Sequence, residues 1–153
     1  MVKIGDIAPD FFLSDSNSRK HKLSDYLGHK VALYFYPKDD TPGCTKQACS
    51  LRDGLATLIH QNIMVLGISA DDQQSHKKFS EKYKLPFTIL CDSDKKVCKQ
   101  YGVISSRWFI GKQLEGINRT TFLINEKGKI VKIIEKPNTD DHTTEILAGF
   151  ESV

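Results

Sequence analysis

The sequence is short of several things that would narrow its class. No apolar run approaches the ~20 residues needed to cross a bilayer, which argues against a membrane-spanning protein. Charge of one sign is scarce: 22 Lys and Arg against 19 Asp and Glu leave a formal +3. The two signs are interspersed, so there is no electrostatic footprint for nucleic acid. Internal repeats, low-complexity tracts and linkers are missing. The opening Met1-Val2-Lys3-Ile4-Gly5-Asp6 puts an acid ahead of any apolar segment and does not read as a secretory signal. The C-x-x-C pair of dithiol oxidoreductases is also missing. What remains is 153 residues, 39% apolar, enough for one domain spanning 1–153 with a sizeable core. The expectation is a soluble, cytoplasmic protein.

Punctuation along the chain sets out the elements. Val31-Ala32-Leu33-Tyr34-Phe35-Tyr36 is a continuous apolar run ended by Pro37, as in a parallel strand buried on both faces. Met64 to Ser69 repeats the pattern. Between them Pro42 to Gln61 reads as a helix, with Thr41 as N-cap, Pro42 at the first helical position, and an apolar stripe of Ala48, Leu51, Leu55, Leu58 and Ile59. Gln73 to Lys84 is a second helix and Phe87 to Leu90 a third strand. Lys95 to Tyr101 is a short helix stopped by Gly102. Ser105 to Gly116 reads as irregular. Thr120 to Ile124 and Lys129 to Glu135 flank the turn Asn125-Glu126-Lys127-Gly128 as an antiparallel hairpin. Asp141 caps a last helix, His142 to Glu151, and Phe11-Phe12-Leu13 begins a small N-terminal hairpin. The order predicts an α/β fold, a central mixed sheet flanked by helices with an N-terminal extension.

The four cysteines, 44, 49, 91 and 98, are the chemical signal. Permanent disulfides are rare in a reducing cytosol and unnecessary at this size. Cys44 falls in the first turn of a helix that starts beyond the carboxyl end of a central strand, the edge where α/β sheets place their sites. Unpaired N–H groups and the helix dipole there favour thiolate over thiol. Cys44 also lies on the core-facing stripe, which predicts a sheltered sulfur. Pro37 and Pro42 stiffen the loop, and Thr41 brings a hydroxyl able to donate or accept a hydrogen bond. Against this stands the common case of a buried cysteine acting only as a small hydrophobe.

Cys49 is five residues on. In an intact helix such positions lie roughly 8.6 Å apart at Cα, beyond the roughly 4.4–6.8 Å of a disulfide. Either the two never bond, or the first turns unwind after oxidation of Cys44 and Cys49 swings across.

Tyr34-Phe35-Tyr36-Pro37-Lys38 followed by Thr41-Pro42-Gly43-Cys44-Thr45 resembles the peroxiredoxins, and the Cys44–Cys49 spacing resembles their PrxQ, or bacterioferritin comigratory protein, branch. Gly5 to Phe11, Leu66 to Ser69 and Gly116 to Ile124 extend the resemblance nearly end to end. It implies a thioredoxin-like fold and a thiol peroxidase with Cys44 as peroxidatic and Cys49 as resolving cysteine. It further implies that Arg119 and Thr41 serve the site beside Pro37. No metal, haem or flavin is implied. The implied partners are a peroxide and thioredoxin or a similar dithiol, with no nucleic acid, no membrane and a monomeric chain. Gln47 stands where many members of the family carry Glu.

Two rival readings use the same thiols. A structural zinc site would need all four to converge, and their C-x4-C and C-x6-C spacings lack the usual tight knuckle. A dithiol oxidoreductase would need C-x-x-C. Cys98 reads as core, Cys91 has no assigned role, and Trp108 and Phe109 are expected to pack over the site's rim or the core.

Overall fold

The computed structural model describes residues 1–153. Nine strands and four α-helices follow in order: β1 (Phe12–Asp15), β2 (Lys20–Lys22), β3 (Lys30–Phe35), α1 (Pro42–His60), β4 (Ile63–Ser69), α2 (Gln73–Tyr83), β5 (Thr88–Cys91), α3 (Lys96–Tyr101), β6 (Ile104–Phe109), β7 (Lys112–Ile117), β8 (Thr120–Ile124), β9 (Ile130–Glu135) and α4 (His142–Glu151). A 3-10 turn, Leu23–Tyr26, follows β2. Seven strands form one mixed sheet in the order β2-β1-β5-β4-β3-β8-β9. β3–β4 and β4–β5 are parallel, while β8 runs antiparallel to β3. No helix is long and apolar enough to cross a membrane.

Strand β3 shows why the sheet sits at the centre. Successive side chains point to opposite faces. Val31, Leu33 and Phe35 enter one core with Leu66, Phe122 and Tyr101. Ala32, Tyr34 and Tyr36 enter the other with Cys44, Ala48 and Leu51 of α1 and Phe79 of α2. Both faces being covered explains the unbroken apolar run. The expected helix stops hold: Lys84 and Gly102 end α2 and α3 in the left-handed region, at φ 51° and 75°. Asp141 caps α4, its carboxylate accepting from the Thr144 N–H.

The expectations for the stretch after α3 fail. Ser105 to Gly116 is not irregular: β6 and β7 form a separate antiparallel ribbon. Its turn residues Ile110 and Gly111 both have positive φ, 50° and 70°, the conformation of a two-residue hairpin turn usually marked by Asn-Gly or Asp-Gly. An isoleucine at the first of these positions hides the signal. The ribbon has no third layer, so Trp108 and Phe109 are 73% and 61% exposed and do not pack on the core or rim as expected.

Candidate active site

The site forms where β3 gives way to α1. After Phe35 the chain leaves the sheet through Tyr36 and Pro37, turns at Asp40 with φ 55°, and enters α1 at Pro42. Thr41 occupies the N-cap position with an extended backbone, as expected, but its hydroxyl does not cap. It donates instead to the Lys38 carbonyl at 2.9 Å. That spends the hydroxyl proton and leaves the oxygen's lone pairs able to accept. The first bond inside the helix runs from Thr45 N–H to Thr41 O at 2.8 Å. The N–H groups of Gly43 and Cys44 are thus the orphan donors of the helix start, and Pro42 has none to offer.

Cys44 is 2% exposed on the core-facing side of α1. Cys49, on the same helix, is half-buried, and all four cysteines are free thiols. Arg119 comes from the short link between β7 and β8. Its guanidinium lies directly over Gly43: a Cβ built there would sit 3.0 Å from Arg119 Nη2. A hydrogen bond from Nη1 to the Oε1 of buried Gln47, at 2.7 Å, holds it there. The structure therefore gathers Thr41, Cys44 and Arg119 at one helix start, with Cys49 further along the same helix. Pro37 borders an adjoining groove of about 590 Å³ with Arg107 and Leu114 of the ribbon and Asn118. A more apolar cavity of about 260 Å³, bounded by Ile7, Leu23, Tyr26 and Leu27, touches none of these residues.

Beneath the helix start, the Tyr34 hydroxyl and Gln47 Nε2 are buried without hydrogen-bond partners. Each such group costs about 1–3 kcal/mol. Burial holds the Tyr34 phenol well above its ordinary pKa, with the neighbouring Cys44 and Asp39 adding to the effect and Arg119 opposing it. Tyr34 is thus a neutral donor. His142, at the start of α4, bonds Thr121 Oγ1 and Glu145 Oε1, both at 2.7 Å. Burial pushes it toward the neutral form against the pull of Glu145, with Arg119 reinforcing the effect.

Cys44 and Cys98 lie in the cores on opposite faces of the sheet, so the four thiols do not converge on one point as a zinc site would require. Cys98 is fully buried. Burial first, then the neighbouring Asp92 carboxylate, pushes its thiol far up, which makes it an inert core group. Nothing local in the sequence marks Gln47 as the tether of Arg119, nor Asp39 and His76, whose buried pair anchors the loop ahead of α1. In sequence, Asp39 sits in what looks like a solvated acidic turn.

Comparison with known proteins identifies the family. The AhpC/TSA family profile matches residues 4–133. A putative peroxiredoxin bcp of Coxiella burnetii is 47% identical over 146 residues, 95% of this chain and 97% of that protein. Peroxiredoxin Bcp of Bacillus subtilis is 41% identical over 152 residues, 99% of this chain and 97% of that one. Among solved structures, Xanthomonas campestris peroxiredoxin Q superposes with a TM-score of 0.90 at 32% identity, covering 99% and 96% of the two chains. BcpB from Mycobacterium tuberculosis gives 0.88 at 34%, covering 100% and 99%. The chain belongs to the AhpC/TSA family and is a peroxiredoxin, a thiol peroxidase with the thioredoxin-like fold. That activity requires a peroxide substrate and a thiol reductant.

Proposed function

We propose that Cys44 is the peroxidatic and Cys49 the resolving cysteine of a single-domain, monomeric peroxidase. The observation that carries the reading is a buried Cys44 at an uncapped helix start, with a fixed guanidinium over its neighbour and a second thiol on the same helix. The Cys44 thiolate attacks the nearer oxygen of ROOH. A sulfur–oxygen bond forms, the O–O bond breaks, and the departing alkoxide takes a proton and leaves as ROH. Sulfur is oxidised by two electrons and the peroxide reduced by two. Arg119 and the free N–H groups of Gly43 and Cys44 stabilise charge building on the oxygens, Thr41 Oγ1 accepts a hydrogen bond from the peroxide O–H, solvent supplies the proton that the alkoxide takes, and Pro37 walls the entry.

The Cys49 thiol then attacks the sulfenic acid, forming the disulfide and releasing water. The ideal-helix separation forbids this bond in the wound state, so the first turns of α1 must open. The absent side-chain cap helps, since a good cap holds a helix end by ~1 kcal/mol. A dithiol, which we take to be thioredoxin, restores both thiols by exchange and leaves oxidised itself. Hydrogen peroxide and organic hydroperoxides both fit. A Xanthomonas campestris relative has been studied for alkyl peroxide reduction, and the groove beside Pro37 has room for an organic group.

Stopped-flow peroxide consumption by wild type, Cys44→Ser and Cys49→Ser, with thioredoxin as reductant, tests the assignment. Cys44→Ser abolishes turnover. Cys49→Ser consumes one equivalent and stalls. Sustained turnover by Cys44→Ser would overturn it.

A further inference from the structure

The loop ahead of α1 is anchored far more strongly than a connecting turn needs to be. Asp39 Oδ1 accepts the Tyr36 hydroxyl at 2.5 Å, and Oδ2 accepts the Ser75 hydroxyl at 2.8 Å and His76 Nδ1 at 2.7 Å. The Asp39 N–H donates to Asp71 Oδ2 at 2.9 Å. His76 Nε2 faces the Leu90 carbonyl at 3.1 Å. Both ring nitrogens therefore face acceptors, both carry protons, and the ring is an imidazolium. Burial opposes that charge, but Asp39 and Cys91 more than offset it and lift the pKa to about 10. The pair is almost wholly enclosed, His76 at 0% and Asp39 at 4% side-chain exposure. Asp40 is tied in turn to Lys82 and Tyr83 at the far end of α2, both at 2.8 Å. Beyond the two reactive thiols, α1 is pinned again at Ser50. The His142 N–H reaches Ser50 Oγ at 3.2 Å, and the Thr143 hydroxyl reaches its carbonyl at 2.9 Å.

We propose that His76, acting through Asp39, is a positioning residue that sets how readily the first turns of α1 unwind, and so divides oxidised Cys44 between resolution and overoxidation. This rests on the resolving role given to Cys49 above. Anchoring the upstream end removes conformations from the unwound segment, so the wound helix is favoured. The sulfenic acid has two fates. With the Cys49 thiol it gives the disulfide and water. With a second ROOH it gives the sulfinic acid and ROH, sulfur losing two further electrons to the peroxide. A firm anchor slows the first and leaves time for the second. The pin at Ser50 confines the opening to the segment that holds both thiols.

The test compares wild type, His76→Gln and Ser75→Ala in single turnover. The readouts are the rate of Cys44–Cys49 disulfide formation and the peroxide concentration at which half of Cys44 becomes sulfinic acid. His76→Gln keeps one donor for Asp39 and loses the charge. It should raise both quantities roughly five- to tenfold, the difference between a charge-assisted hydrogen bond and a neutral one. Ser75→Ala removes a single donor and leaves the pair, so it folds and shifts both in the same direction by less. Phe122→Leu, in the core on the other face, lowers global stability and leaves the partition unmoved. Amide exchange in the reduced protein accelerates over 43–49 in His76→Gln and keeps the wild-type pace from Ser50 onward. A wild-type disulfide with His76→Gln and Ser75→Ala both resolving at the wild-type rate or slower overturns this proposal alone. Absence of the disulfide in wild type overturns the role of Cys49 and this proposal with it.

Discussion

Gly43→Ala separates the chemistry of the site from its stability. The added methyl would stand 3.0 Å from Arg119 Nη2 and 3.8 Å from Cζ. Ordinary contact begins near ~3.5 Å, so the guanidinium must retreat by about 0.5 Å. It is not free to do so, because Nη1 is bonded to Gln47 Oε1 at 2.7 Å. Retreat stretches that bond to about 3.2 Å, the long edge of the N–H···O range. Partial loss of a bond worth about 1.5–3 kcal/mol is set against a gain of up to ~1 kcal/mol from replacing glycine in a helix. The melting temperature should therefore move little. Activity should not be spared: a misplacement of about 1 Å can cost ~100-fold, and half of that implies roughly a tenfold drop in the second-order rate with peroxide. Stopped-flow kinetics beside thermal denaturation reads both. A Gly43→Ala protein as fast as wild type and equally stable would show that Arg119 does not act on the reacting sulfur.

Gln47→Ala frees Arg119 by the other route. It lowers the peroxide rate roughly tenfold, while its stability loss is softened because the buried unpaired Nε2 goes with it. The His76–Asp39 pair carries a pH signature. The His76 pKa is 6.5 in the reference state and about 10 in the fold. Its stabilisation is whole below pH 6.5, declines above that, and is lost as pH rises through 10. Across this window wild type should lose about 5 kcal/mol more stability than His76→Gln; equal slopes would refute the buried charge. At Gly54 a Cβ would fall 2.3 Å from Thr143 Oγ1. Gly54→Ala thus overpacks the α1–α4 contact and destabilises by about 1–3 kcal/mol, read by chemical denaturation.

What could be read from the sequence was what local chemistry determines. The unbroken run at Val31 to Tyr36 gave a doubly covered strand, Thr41-Pro42 gave a helix start, and Lys84 and Gly102 mark real helix ends. Cys44 was legible as sheltered because the helical stripe fixes which way it faces. What escaped depends on partners far along the chain. Gln47 stood out only as a departure from the family's Glu, and its role shows only when Arg119, 72 positions later, arrives beside it. Asp39 and His76 are 37 residues apart and carry no spacing motif. The ribbon β6–β7 was missed for the opposite reason: beyond its base no layer covers it, so its strands show no burial alternation, and its turn begins with an isoleucine.

The central claim is that Cys44 takes the oxygen and Cys49 closes the bond. Peptide mass mapping after one equivalent of peroxide, without reductant, tests it directly. Wild type should yield one peptide containing both cysteines and lighter by two hydrogens, and Cys49→Ser should carry a trappable sulfenic acid on Cys44. Oxidation found on Cys91 or Cys98, or a disulfide joining Cys44 to either, would contradict the account.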